Sequence, residues 1–422
     1  MRLPDIEWTR FRRVALFLFG ALLILVFKVG NRVGQWDFLV YLDAAGDVWE
    51  GANPYRVAVP EGYEHITILT AYVYPPFFAR VLSPFSQLPE EAARFCWLTV
   101  QSLAFEALYW FGLVLCGRRV GLFSFALFHL IGIRYEAIDK DFLAGNTALV
   151  EAAVLTAWAA LHRVRPATVG AALGVLLAIK PLGVFVVLWE LVRMRWRSLL
   201  ATVIVAGALG VGMLLDQPLF SQYREFLASS RFQEIMDEHT AGIFNHATVS
   251  VAFRLFTDRT MFWPVWDFPP LAYFLTFAVP ILVWLLAFNL WRALEESRLD
   301  PRLANELGFF LLLPTVLLTT PRVADYTLVW LVVPFFFGTW RAMERKHWGA
   351  LALFILAGAV ENLPITGGRI DTGGVEMHLL QYRYASSVLF WCAAWALGRG
   401  AVRTPPPKMA EPVSPAVHPE TQ

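Results

Sequence analysis

A chain of 422 residues with 57% apolar residues, only 16% charged residues and a formal net charge of +1 is not an ordinary soluble domain, since soluble proteins carry about 25% charged residues. The mean hydropathy is +0.53, and no basic stripe marks a nucleic-acid partner. Cys96, Cys116 and Cys392 lie in or beside apolar runs and read as small core hydrophobes, not as a disulfide framework or metal site.

The apolar residues cluster in repeated runs of about 12 to 22, and in lipid such runs satisfy their backbone only as helices. The fold class expected is therefore all-α, a polytopic membrane helical bundle. Arg10, Arg12 and Arg13 precede the first run, 14–29, which has no small-residue cleavage site after it and reads as an uncleaved first helix. Residues 35–76 follow, with Asp37, Asp43, Asp47 and Glu50 set among aromatics, a Gly51-Ala-Asn-Pro-Tyr55 turn and a Tyr74-Pro-Pro-Phe break. Further runs fall at 95–115, 121–133, 147–161, 169–179, 183–192, 199–215, 271–291, 307–319, 327–339, 349–360 and 385–397. That gives about twelve transmembrane or re-entrant helices, several shorter than the roughly 20 residues an upright crossing needs. Residues 1–400 form the membrane domain, and the Pro-rich stretch 401–422 reads as a disordered cytoplasmic tail.

Cations set the orientation. With the N-terminus inside, the clusters at Arg10–Arg13, Arg118/Arg119, Arg163/Arg165, Arg193/Arg195/Arg197 and Arg341/Arg345/Lys346 all fall in short cytoplasmic segments, and every long loop lies outside. The location expected is a plasma membrane of bacterial type, with the site facing away from the cytoplasm. No internal repeat is visible, which counts against a transporter built from paired halves.

The outer segments hold the chemistry. On a helix, Asp37 and Tyr41 share one face at i and i+4. A partly desolvated carboxylate there can take a proton from an attacking hydroxyl, or it can simply keep a loop in water. Lys180 ends a run of about 21 Å counted from Pro166 at 1.5 Å per residue, so it lies at membrane depth. It meets an anionic ligand there, such as a lipid-linked phosphate, or it snorkels, or it pairs with an acid such as Glu106 or Glu151. Asp139 and Asp141 are paired carboxylates that could seat a divalent cation; no other cofactor is expected. Asn245 and His246 lead to Arg254, and Arg322 precedes Asp325 and Tyr326 in a short outer turn. No phosphate-binding glycine loop, Gly-x-Ser-x-Gly motif or histidine metal spacing is present. Acyl transfer would need a His–Asp pairing that the sequence does not place.

Asp37-Phe-Leu-Val-Tyr41, Gly51-x-x-Pro54-Tyr55 and Tyr74-Pro-Pro76 with Pro84 and Leu88-Pro89 together resemble the N-terminal signature of glycosyltransferase family 87. Gly145-Asn146, Ala178-Ile-Lys180-Pro181, Asn245…Ser250…Arg254 and Thr320-Pro321…Asp325-Tyr326 follow in the family's order, so the resemblance runs from about 14 to 397. Many members have Gly-Gln in place of Gly145-Asn146, and a histidine in place of Asp325-Tyr326. The resemblance implies a GT-C architecture and inverting transfer of a hexose, mannose in the best-known members. The donor would be a polyprenyl-phosphate sugar, and the acceptor hydroxyl would belong to a glycolipid, glycan or protein. It implies Asp37 as the base. The donor phosphate would then fall to Lys180, Arg254 and Arg322, and substrate contacts to Tyr41, Tyr55, Tyr74, Asn146, Asn245, Asp325 and Tyr326. A non-catalytic flippase of lipid-linked sugars is the other reading; it would need polar groups along the whole bundle, whereas here they crowd one side.

Overall fold

A computed structural model describes residues 5–30, 34–56, 72–180, 184–241, 245–258, 263–363 and 381–403. Pro181 and the expected tail from 404 onward lie outside these. The described residues are helical, with no strand among them. In order the helices are α1 (Asp5–Gly30), α2 (Trp36–Glu50), α3 (Pro76–Leu82), α4 (Glu90–Cys116), α5 (Leu122–Arg134), α6 (Glu136–Ala144), α7 (Ala148–Leu161), α8 (Pro166–Ile179) and α9 (Val184–Val192). There follow α10 (Trp196–Leu215), α11 (Gln217–Leu227), α12 (Ser230–Ala241), α13 (Thr248–Phe256), α14 (Pro269–Glu296), α15 (Pro301–Thr319), α16 (Thr339–Glu344), α17 (Trp348–Glu361) and α18 (Tyr382–Arg403).

Six of these are long and apolar enough to cross a membrane: the part of α1 from Phe11, then α4, α10, α14, α15 and α18. The apolar helices α5, α7, α8 and α17 are shorter, at 13 or 14 residues, or about 20 Å. The bundle of apolar helices is as expected, but twelve crossings are not established by these lengths. The run at 327–339 departs furthest from a regular span. It is a 3₁₀ turn over Asp325–Leu331, a π-helical stretch over Pro334–Gly338 and then α16. Leu328 to Val333 are all buried. Backbone that breaks the α-helical ladder is tolerated at membrane depth only inside protein, and this segment lies there, packed on α6, α7 and α15.

The core is built on α15, whose residues from Ala304 to Leu318 are continuously buried. Phe105, Phe128, Trp158 and Trp330 join it in this core. The proline breaks act as composition requires: Pro76 is the first residue of α3, and Gly51 closes α2 with φ +74°.

Close packing of α8 on α10 rests on a Gly170-Ala-Ala-Leu-Gly174 stripe. A Cβ at Gly170 would stand 2.3 Å from the Ser198 carbonyl oxygen, and one at Gly174 would stand 2.7 Å from that of Thr202. Thr202 Oγ1 donates to the Gly170 carbonyl at 2.9 Å. Since the obstruction is backbone, it cannot rotate away. Gly170→Val should destabilise the protein by about 1–3 kcal/mol and lower its thermal midpoint in detergent, followed by intrinsic fluorescence; an unchanged midpoint would show that α8 and α10 do not pack this tightly.

Candidate active site

The polar end of the bundle is organised by the start of α2 and the turn between α6 and α7. Gln35 enters α2 in the left-handed region and donates its backbone N–H to the Leu143 carbonyl at 2.7 Å. That contact sets Asp37, in the first turn of α2, against the 145–147 turn. Gly145 has φ +69°, and a Cβ there would sit 2.8 Å from Cβ of Phe38 and 3.0 Å from that of Gln35. Only glycine meets both demands. Asn146, delivered by this turn, donates through Nδ2 to Asp37 Oδ2 at 2.6 Å and to Tyr41 Oη at 2.9 Å. Its Oδ1 accepts from the Thr147 N–H at 2.8 Å, which fixes which way the amide points.

Around this centre stand the aromatics named from sequence. Tyr41 donates to Tyr74 Oη at 2.9 Å, and Tyr55 Oη donates to the Tyr74 carbonyl at 3.0 Å. Tyr55 is thus a buried support for Tyr74. Phe38 stacks on Trp97 with centroids 5.2 Å apart, and Trp97 Nε1 donates to the Gly145 carbonyl at 2.8 Å. Asp43, Asp47 and Glu50 lie further along α2, where Asp47 pairs with Arg56.

A cationic side faces the carboxylate. Lys180 Nζ lies 3.0 Å from Glu151 Oε1 and 5.8 Å from the centre of the Tyr326 ring. Of the two acids considered as partners for Lys180, Glu151 is the one in contact; Glu106 pairs with His129 instead. Arg322 makes no hydrogen bond or ion pair among the described residues, yet its charge acts on Asp37 and Tyr326. Burial raises the Asp37 pKa from 3.8 to about 6; the Asn146 hydrogen bond, the charges of Arg322 and Lys180 and a hydrogen bond from Tyr326 each pull it back. Asp37, Tyr41, Tyr74, Asn146, Lys180, Arg322 and Tyr326 therefore converge from five separate stretches of chain.

The remaining candidates sit beside this cluster. Asn245 is buried and bonded to backbone on two segments: Nδ2 donates to the Pro321 carbonyl at 3.0 Å, and Oδ1 accepts from the N–H groups of Val323 and Ala247 at 2.9 and 3.1 Å. Arg254 is also buried, and its Nη2 donates to the Asn245 carbonyl at 2.8 Å, so its observed bond braces the loop. Asp139 pairs with Lys28, while Asp141 accepts from the Ala148 N–H at 3.1 Å and from Gln101 Nε2 at 3.0 Å. Each of these two carboxylates thus has its own protein partners, and no group of three metal-ligating side chains occurs among the described residues.

One pairing is not placed by the sequence. His246 Nε2 and Asp325 Oδ1 are 2.5 Å apart, although 79 residues separate them in the chain. The other oxygen of Asp325 receives Arg383 Nη1 at 2.6 Å, and Arg383 also pairs with Glu136. Burial would raise the Asp325 pKa, but the His246 hydrogen bond and the Arg383 charge hold it well below the usual carboxylate range. With His246 3% exposed and both Asp325 oxygens occupied, this is a structural latch. Gln101, Trp97 and Arg383 carry no motif, and their roles follow from contacts between distant segments.

Comparison with curated proteins and with solved structures returned no match. The family model of glycosyltransferase family 87 matches residues 72–321. That stretch holds Tyr74, Asn146, Lys180, Asn245 and Arg254; Asp37, Arg322, Asp325 and Tyr326 fall beyond its ends, so it is narrower than the resemblance read from the sequence. It covers more than half of the chain, and with the helices long enough to cross a membrane it leads to one conclusion: the chain belongs to glycosyltransferase family 87, whose members transfer sugars at membranes.

Proposed function

We propose that the protein transfers a hexose from a polyprenyl-phosphate donor to an acceptor hydroxyl on the extracytoplasmic side, with inversion at the anomeric carbon. The observation that carries this reading is a half-open carboxylate, Asp37, with a pKa near 6, facing two cations. At pH 7 such a group is mostly ionised and still basic enough to accept a proton. The acceptor hydroxyl would attack C1 and lose its proton to Asp37. The C1–O bond to phosphate breaks as the new glycosidic bond forms, and polyprenyl phosphate leaves. The leaving phosphate gains negative charge, which Arg322 and Lys180 are suited to stabilise. Arg254 acts on this chemistry through the Asn245 loop. Asn146 holds Asp37 and is itself bonded to Tyr41, and Tyr74 and Tyr326 offer hydroxyls to the sugar. No nucleotide is required, because the sugar–phosphate bond carries the driving force. Mannose is the sugar the family resemblance favours.

An apolar groove between α9 and α14 suits the lipid tail. Its cavity of about 300 Å³ is lined by Phe185, Pro280, Trp284, Phe288 and Thr319. Thr319 is three residues before Arg322, so this groove leads toward the phosphate-binding side.

Asp37→Asn should reduce transfer of radiolabelled sugar from polyprenyl phosphate by at least 10²–10⁴-fold. Its thermal midpoint at pH 7 should not fall. The folded-state pKa is raised, so any stability linked to this group is present below about 4 and lost as pH rises through 6; the neutral amide forfeits nothing at pH 7. Turnover retained in this variant would remove Asp37 as the base.

The wild-type rate should rise tenfold per pH unit up to about 6 and then level off. Asn146→Ala removes a hydrogen bond that favours the ionised carboxylate, so the limb should move to higher pH. A pH–rate profile with an unmoved limb would separate Asn146 from the base.

A further inference from the structure

The loop at Asn245–His246 grips the segment carrying Arg322 on both sides of that residue. Asn245 Nδ2 holds the Pro321 carbonyl, and Asn245 Oδ1 holds the Val323 N–H. The His246 N–H donates to the Val323 carbonyl at 2.7 Å. Thr248 Oγ1 donates to the Leu318 carbonyl at 2.6 Å, and the His246–Asp325–Arg383 latch closes the far end. Between the gripped residues 321 and 323 stands Arg322 alone. Its neighbours are tied inward by their backbone while its guanidinium, half-buried, has no hydrogen bond or ion pair among the described residues.

A long cation presented to an anion from a free turn would lose side-chain and backbone freedom on binding, which weakens the contact. With the backbone immobilised on both sides, that ordering is already done. We propose that Asn245 is a positioning residue that touches no substrate: it preorganises the 321–323 segment so that Arg322 meets the phosphate of a polyprenyl-phosphate ligand. This rests on the donor chemistry proposed above. It gives Asn245 a part different from the sugar contact expected from sequence.

The test measures binding of undecaprenyl phosphate and of undecaprenol to the full-length protein in detergent, by tryptophan fluorescence. Wild type should prefer the phosphate; equal binding of the two lipids would overturn the donor reading itself. Asn245→Ala should weaken phosphate binding about tenfold and leave undecaprenol binding unchanged. Arg322→Ala should do the same, and the double variant should be no weaker than Arg322→Ala alone. Asn245→Asp keeps the acceptor for the Val323 and Ala247 N–H groups and loses the donor to Pro321. It should show a smaller, equally phosphate-selective loss, and serves where the alanine variant folds poorly. If the Asn245 and Arg322 losses multiply, or the undecaprenol affinity falls in step, Asn245 does not act through Arg322 and the proposal fails with the donor reading intact.

Discussion

The contact between Asn146 Nδ2 and Asp37 Oδ2 is the one on which the polar end depends. A carboxylate surrounded by protein loses hydration and drifts toward its neutral form unless donors replace the lost water. Asn146 is such a donor, and it can stand there only because Gly145 takes a left-handed turn against Phe38 and Gln35. Three further bonds hold that turn: Trp97 to the Gly145 carbonyl, Gln101 to the Asn146 carbonyl at 3.2 Å, and the Ala148 N–H to Asp141. Asp141 thus acts at a distance from the chemistry as the acceptor at the start of α7.

Several of the buried and half-buried charges outside the site are arranged in pairs, as an apolar bundle favours. Lys28 with Asp139 ties α1 to α6, and Arg341 with Glu306 makes a two-pronged bond of 2.6–2.7 Å from α16 to α15. Such pairs seldom add net stability over an apolar replacement, but breaking one strands a charge, so they fix which helices meet. Lys180 differs in degree. Its ammonium has three donors and its ion pair engages a single acid, Glu151, which leaves donor capacity toward the side where Asp37 and Tyr326 stand.

Much of this was legible in the residues. Apolar runs mark the helices, Gly51 and Tyr74-Pro-Pro mark the breaks, and the i, i+4 spacing puts Asp37 and Tyr41 on one face of a helix. The depth of Lys180 follows from chain length, and Glu151 is one of two acids weighed beside a ligand phosphate as its partner. Span length was less legible at 327–339, where hydropathy cannot separate a lipid-facing helix from an irregular segment buried by its neighbours. The parts of Asn245, Arg254 and His246 were not legible either. Each depends on which carbonyl or carboxylate lies opposite, and residues 318–325 come to that place only through tertiary folding.

Two of the helices too short to cross upright, α7 and α8, border the site, and this sets its depth. Gly170 lies against Ser198, and Gly174 against Thr202, so α8 and α10 run side by side with a constant offset of 28 residues. Ile179, the last residue of α8, is therefore level with Gly207, while α10 continues to Leu215. Eight further residues add about 12 Å. Lys180 is held that far below the end of its longer neighbour, and Glu151, in the first turn of α7, is at the same level because it pairs with it. Placed below the end of α10 and enclosed by protein, such a recess would keep a cation out of hydrocarbon. A lipid-borne phosphate, confined near the membrane surface by its tail, would meet that cation by moving inward a short way, while a soluble anion would have to descend into the recess from water.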